Sequence, residues 1–82
     1  MINTLNVNIL GLKAKHRNEI CKAYPDYILK VKKNLIQFDR NVMIFTDQEN
    51  EVLELTFFNP KEFEQRQRYY IPYKDFAYLE VI

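Results

Sequence analysis

The sequence predicts an α+β domain: a small, antiparallel and strongly curved sheet of five to six strands, covered by one helix, with a short second helix. Polar and apolar residues alternate over most of the chain, one stretch has helical spacing instead, and the segments are joined by short connections. A small half-open β-barrel fits the same pattern and is the alternative. The 82 residues contain no repeat or linker, so we expect one domain over 1–82.

The first two segments predict a strand and a helix. Residues 4–10 alternate with period two, and asparagines on the polar side favour an edge strand or an exposed sheet face. Residues 13–24 have helical spacing, with His16 and Ile20 on one stripe and lysines on the other side. Pro25 ends this helix, because proline disfavours helical geometry in the residue before it.

The middle of the chain predicts further strands. From Tyr27 the period is two again, but the apolar side changes at Asn34, which indicates either two strands or one long strand kinked there. Residues 42–46 are almost continuously apolar and predict a strand buried on both faces. Residues 51–58 alternate most clearly, with Thr56 on the outward side.

Turn residues agree with this division. The chain has one glycine, Gly11, so other residues must take any further positive-φ positions. Asparagine is the usual substitute, and one lies at each proposed reversal: Asn34, Asn41 and Asn50.

The last third predicts a short helix and two strands. Asn59 can cap a helix that begins at Pro60 and runs to about Arg68. Residues 69–73 and 77–81 then alternate as strands, and Pro72 places the first of them at a sheet edge.

The tail from Tyr70 to Glu80, YIPYKDFAYLE, resembles the strand pair I-P-x-x-D-I-x-Y-I-E of LytTR-type DNA-binding domains and of some small β-barrels. The resemblance covers eleven residues, and the remainder of the chain departs from those domains. It implies a strand, a turn and a strand, and nothing further is carried over.

The composition excludes several kinds of active site. The chain has no serine, one glycine, one cysteine and one histidine, which leaves no serine nucleophile, no glycine-rich phosphate loop and too few ligands for structural zinc. His16 and Cys21 lie about 140° apart around the predicted helix, so they do not form a catalytic pair. We therefore expect no enzyme, no cofactor and no metal, with His16 as a boundary residue of the core.

Charge is unevenly distributed along the chain. The net charge is +1, but residues 1–40 carry a net +5 and residues 41–82 a net −4. This indicates two solvated faces of opposite sign or a basic patch for an acidic partner.

The remaining functional signal is aromatic and basic. Six tyrosines in 82 residues are many, and tyrosine is enriched at binding surfaces because its large rigid ring ends in a polar tip. We expect a binding surface drawn from Lys30, Lys32, Arg66, Arg68, Tyr69, Tyr70 and Tyr73.

The leading hypothesis is a non-enzymatic protein-interaction module, an inhibitor or accessory protein of bacterial or mobile-element origin. The alternative is a single-stranded nucleic-acid-binding protein that uses these Lys, Arg and Tyr residues. We also consider a homodimer through an edge strand near Pro72 or near Asn6 and Asn8. With no apolar run long enough for a membrane span, we expect no membrane partner and a cytoplasmic location.

Overall fold

The computed structural model describes residues 2–3 and 7–81, and over these residues the chain forms eight strands, one α-helix and three short 3₁₀ turns. In chain order the elements are β1 (Ile2–Asn3), β2 (Val7–Leu10), α1 (Ala14–Ala23), a 3₁₀ turn (Pro25–Tyr27), β3 (Ile28–Lys32), β4 (Leu35–Phe38), β5 (Val42–Asp47), β6 (Val52–Phe57), a 3₁₀ turn (Pro60–Gln65), β7 (Gln67–Pro72), a 3₁₀ turn (Tyr73–Asp75) and β8 (Tyr78–Val81).

The predicted α+β class with antiparallel strands is confirmed. The strands divide between two sheets, sheet 1 in the order β1-β5-β6-β7 and sheet 2 in the order β3-β4-β2-β8. Over the described residues these sheets do not close into the alternative barrel. The tail is a strand, a turn and a strand, as the resemblance implies, but β7 pairs with β6 and β8 pairs with β2. The last 3₁₀ turn therefore carries the chain from one sheet to the other.

One apolar cluster lies between the two sheets. Sheet 1 contributes Leu53, Leu55 and Phe57 of β6 with at most 2% exposure, as the alternation predicts, and sheet 2 contributes Ile9 and Ile36 with none. Thr56 is on the outward side of β6, as expected, but it is 1% exposed because its neighbours cover it. Both sheets thus depend on the same buried surface for their stability.

The helix confirms the prediction to within one residue at each end. Helix α1 buries His16 and Ile20 against the core, and the backbone N–H of Tyr24 donates to the Ile20 carbonyl at 2.8 Å to close its last turn. Pro25 then begins a 3₁₀ turn. The Tyr24 ring stacks on the ring of Phe57 with centroids 4.0 Å apart, which fixes the end of α1 on sheet 1.

The reversals lie where the asparagines predict them, but the backbone uses other residues at positive φ. Among the described non-glycine residues Glu51 has this conformation, at φ 55°, while Gly11 has φ 69°. Asn50 instead donates its backbone and side-chain N–H groups to the Asp47 carboxylate. The prediction of positive φ at asparagine is wrong, because a side-chain hydrogen bond holds Asn50 one residue before the strained position. At Asn34 a two-residue turn separates β3 from β4, so the two-strand alternative holds.

Of the two predicted edge-strand positions, Pro72 is confirmed and Asn8 is not. Pro72 lies in β7, which is the edge strand of sheet 1, as predicted. Asn8 lies in β2, a central strand between β4 and β8, so the prediction of an edge there is wrong, and with it the proposed edge-to-edge dimer contact at Asn8. Asn8 is 5% exposed and its Nδ2 donates to Glu80 Oε1 at 2.8 Å, and this bond offsets the low strand preference of asparagine. Asn6 lies outside the described residues.

The short second helix is a 3₁₀ turn that ends at Gln65 rather than near Arg68. Asn59 caps it as predicted, accepting a hydrogen bond from the Lys61 backbone N–H on its side-chain oxygen at 3.0 Å. Glu62 has non-helical dihedral angles, which kink the turn and shorten it.

Candidate functional site

The outward side of sheet 1 carries several partly exposed apolar side chains on regular structure. Strand alternation and register put alternate residues of β5, β6 and β7 on this side. We call the following residues the outer face of sheet 1: Met43, Phe45, Val52, Glu54, Thr56, Arg68, Tyr70 and Pro72.

The aromatic residues of this face stand in adjacent register. Phe45 pairs with Glu54, and Glu54 pairs on its other side with Tyr70. Tyr70 is 53% exposed, whereas Phe45 and Met43 are half-buried and do not belong to the core cluster or to the side chains packed on it. These side chains therefore present an apolar surface toward the outside of the sheet.

A small polar group lies at the centre of the outer face. Thr56 Oγ1 donates to Glu54 Oε2 at 3.0 Å, and Arg68 Nε lies 3.6 Å from the same oxygen. The Arg68 side chain is 47% exposed and that of Glu54 is 24% exposed, so this ion pair contributes at most about 1 kcal/mol. This ion pair places one positive and one negative group next to the aromatic residues of the outer face.

The surface continues beyond the strands. Phe58, the residue after β6, contacts the Phe63 ring edge-on, with centroids 5.5 Å apart. Arg66 holds its guanidinium 4.6 Å from the Phe63 ring centre and donates to the Phe63 carbonyl at 3.3 Å. Phe63 is 41% exposed. A second aromatic–arginine pair therefore follows the outer face along the chain.

The sequence-predicted site residues do not gather in one place. Arg68 and Tyr70 lie on the outer face, and Arg66 precedes them. Tyr69 packs against the core cluster from the opposite side of β7, and Tyr73, in the 3₁₀ turn after this strand, packs against the same cluster. The two lysines lie exposed on the edge strand of the other sheet: Lys30 and Lys32.

A second feature is a chain of hydrogen bonds centred on His16, which is 9% exposed. His16 Nε2 lies 2.7 Å from Asp75 Oδ2, and His16 Nδ1 lies 2.8 Å from the Tyr69 hydroxyl. The Tyr69 hydroxyl in turn lies 3.1 Å from Glu19 Oε2. Lys13 Nζ lies 2.9 Å from the second oxygen of Asp75. We call these five residues the His16 network.

The His16 network pairs a histidine with a carboxylate, which the spacing of His16 and Cys21 along the helix did not indicate. Both ring nitrogens of His16 have protein partners, the Asp75 carboxylate and the Tyr69 hydroxyl. Burial, and then the hydrogen bond to Glu19, raises the pKa of Tyr69 to about 12, opposite to what an activated nucleophile needs. The hydrogen bond from His16, and then that from Lys13, lowers the pKa of Asp75 to about 2. The network therefore joins α1, β7 and the last 3₁₀ turn as a structural link.

Sequence reasoning missed these groups for different reasons. The His16 network joins residues 59 and 50 positions apart, and no local spacing marks such a contact. The outer face had a usable signal, because Met43 and Phe45 share one side of their strand. The continuous apolar run of residues 42–46 predicted burial on both faces of this strand, so its exposed face was not identified from the sequence.

The described residues include no helix with the length and apolar character that a membrane crossing requires. Comparison with known protein families, curated proteins and solved structures gives no match for this chain.

Proposed function

We propose that this protein is a non-enzymatic binding module, a small cytoplasmic inhibitor or accessory protein, that docks on another protein through the outer face of sheet 1. The single observation that supports this most is the row Phe45–Glu54–Tyr70, in which two aromatic rings flank a carboxylate on an outward sheet surface. Aromatic residues and arginine contribute most of the binding energy at protein interfaces, because they combine large rigid area with a polar end.

The energetics of this face favour docking. Phe45, Met43 and Tyr70 keep apolar surface in contact with water, and covering it with an apolar partner returns about 25 cal/mol for each Å² removed. Because the ion pair between Glu54 and Arg68 is weak, either side chain can pair with a group of the partner protein instead, with little loss of free energy. A partner with an apolar centre and one charged group opposite Arg68 fits this arrangement.

The nucleic-acid alternative has one supporting observation. Arg66, Arg68 and Tyr70 alternate along β7 and its approach, and aromatic rings beside guanidinium groups can stack on unpaired bases. The Glu54 carboxylate, 3.6 Å from Arg68, opposes a phosphate backbone at the same place. Protein docking is therefore the favoured proposal.

Site-specific photo-crosslinking tests the proposal. A benzophenone amino acid replaces Tyr70 in one variant and Tyr78 in a control variant. The two tyrosines are matched, with 53% and 55% exposure, but Tyr78 lies on sheet 2. In native host extract we expect one discrete crosslinked protein from position 70 and none from position 78. Adding Arg68→Glu to the first variant should remove the product.

Other results count against protein docking through this face. Equal crosslinking from both positions would show that adhesion is unspecific, and a product containing only this chain would show self-association instead. Fluorescence anisotropy with single-stranded oligonucleotides in dilute buffer tests the alternative directly. Salt-sensitive oligonucleotide binding that Arg68→Glu abolishes would indicate that the partner is a nucleic acid rather than a protein.

A further inference from the structure

A surface pocket of about 300 Å³ lies away from the outer face of sheet 1, beside the end of α1. This volume is at the lower end of ligand-binding pockets. Its lining comes from α1, two of the 3₁₀ turns and the adjoining strands: Ala23, Tyr24, Tyr27, Phe57, Asn59, Glu62, Gln65 and Gln67.

The aromatic part of the pocket is rigid. Tyr24 stacks on Phe57 at 4.0 Å, and Tyr27 meets the same ring edge-on at 5.3 Å. Phe57 is 2% exposed and anchors both tyrosines to the core. Because these rings are already held in place, a ligand that contacts them does not have to order them.

The charges around the pocket favour a cation. Of the lining residues in the described chain, Glu62 carries the one formal charge, and it is negative. Ala23 is the last residue of α1, and the C-terminal end of a helix bears a partial negative charge. The faces of tyrosine rings also attract cations. Three independent features therefore favour the same sign of ligand charge.

The nearest basic residues along the chain do not occupy the pocket. Four basic residues adjoin lining residues in the sequence but are not lining residues themselves: Lys22, Lys61, Arg66 and Arg68. Arg66 is held elsewhere, with its guanidinium over the Phe63 ring and a hydrogen bond to the Phe63 carbonyl. The side-chain amides of Gln65 and Gln67 add carbonyl oxygens that can accept from an N–H donor.

We propose that this pocket binds an ammonium or guanidinium cation, carried by a small amine or by a lysine or arginine side chain of a peptide. The cation sits against Tyr24 and Tyr27, and Glu62 supplies the counter-charge. This site is separate from the outer face of sheet 1, so it adds a second recognition surface to the module and does not depend on the proposed docking.

The test is a titration of the ¹⁵N-labelled protein followed by amide chemical shifts. The probes are choline, its neutral isostere 3,3-dimethylbutan-1-ol, and the blocked amino acids N-acetyl-lysine methylamide and N-acetyl-arginine methylamide. We expect saturable shifts at Tyr27, Gln65 and Gln67 with the cations and none with the neutral isostere. A blocked amino acid that binds more tightly than choline identifies a peptide ligand, and the reverse order identifies a small amine.

Matched variants distinguish the effect of losing the counter-charge from the effect of losing the fold. Glu62→Gln should weaken cation binding about fivefold, because it removes a partly screened counter-charge. Glu64→Gln, in the same 3₁₀ turn but outside the pocket lining, should leave the affinity unchanged. Tyr27→Leu should abolish saturable binding while the circular dichroism spectrum stays native, and if that variant unfolds, the pair of glutamate variants decides.

Three results would overturn the cation site. Absence of saturable shifts with every cation rules it out, and equal binding of the neutral isostere shows that charge plays no part. Equal effects of Glu62→Gln and Glu64→Gln would show that only long-range attraction is present. None of these results bears on crosslinking from position 70, so the two proposals can fail separately.

Discussion

Asp75 is the residue at which the polar contacts of helix α1 converge. Its backbone carbonyl accepts from the Lys13 N–H at 2.9 Å, and its carboxylate oxygens lie within 2.9 Å of Lys13 Nζ and His16 Nε2. The side chain is 2% exposed. A carboxylate in this position is favourable because it faces the positive N-terminal end of α1 as well as the ammonium groups of Lys13 and Lys15.

The lowered pKa of Asp75 predicts a specific loss of stability in acid. An unfolded aspartate binds its proton near pH 3.8, whereas folded Asp75 does so only near pH 2. Between these values the unfolded state binds more protons, so the free energy of unfolding falls as the pH falls. The contribution is complete above about pH 4 and is lost by about pH 2.

Urea unfolding at a series of pH values from 2 to 7 measures this effect. Asp75→Asn should be less stable than the wild type at pH 7 and should lack this part of the acid-dependent loss. Asp26→Asn is the control, because Asp26 is an exposed aspartate in the 3₁₀ turn after α1. An Asp75→Asn curve parallel to the wild type from pH 4 to 2 would contradict the assignment.

The turn between β5 and β6 contains a strained backbone position. Glu51 has φ 55°, a region that costs an ordinary L-residue about 1 kcal/mol. Its carbonyl accepts from the Tyr73 N–H at 2.9 Å, which keeps the chain in this conformation. The strain is therefore held by a contact between the turn and the end of β7.

Glu51→Gly should raise the free energy of unfolding by about 0.5 kcal/mol, because glycine removes the strain but adds freedom to the unfolded chain. Asn50→Gly, one residue earlier, should instead destabilise the protein, since it removes the side-chain bond to Asp47 at 2.8 Å. Thermal unfolding of both variants checks the pair. A Glu51→Gly variant that melts below the wild type would show that the side chain contributes more than the strain costs.

Both sheets should unfold together. One core cluster contains residues of both sheets: Ile9 and Ile36 of sheet 2, and Leu53 and Leu55 of sheet 1. If one sheet unfolds, the inner face of the other is exposed to water, so the chain should unfold as one cooperative unit.

Native-state hydrogen exchange measures this cooperativity. The slowest amides of the central strands β6 and β2 should exchange with the same free energy of opening. The edge strand β3 should exchange faster at its unpaired N–H groups. A free energy for sheet 2 well below that of sheet 1 would show two separately unfolding units.

Local patterns were sufficient for the elements but not for their partners. Leu53 and Leu55 could be placed inside because alternation alone decides their side, and Asn59 could be placed as a cap because its hydrogen bond closes within two residues. Asn8 could not be placed, because the central position of β2 depends on β8, which is about seventy residues away. Tyr70, one of the expected binding residues, is 53% exposed, whereas its neighbour Tyr69 points the other way by the alternation of the strand.

The separation of His16 from Asp75 also has a kinetic consequence. The two residues are 59 positions apart along the chain, so a large loop must close before the hydrogen bonds of the network can form. These contacts should therefore form after the rate-limiting step of folding, and weakening them should accelerate unfolding while leaving the refolding rate almost unchanged. The network would then lengthen the lifetime of the folded protein by slowing unfolding, without contributing to the rate of folding.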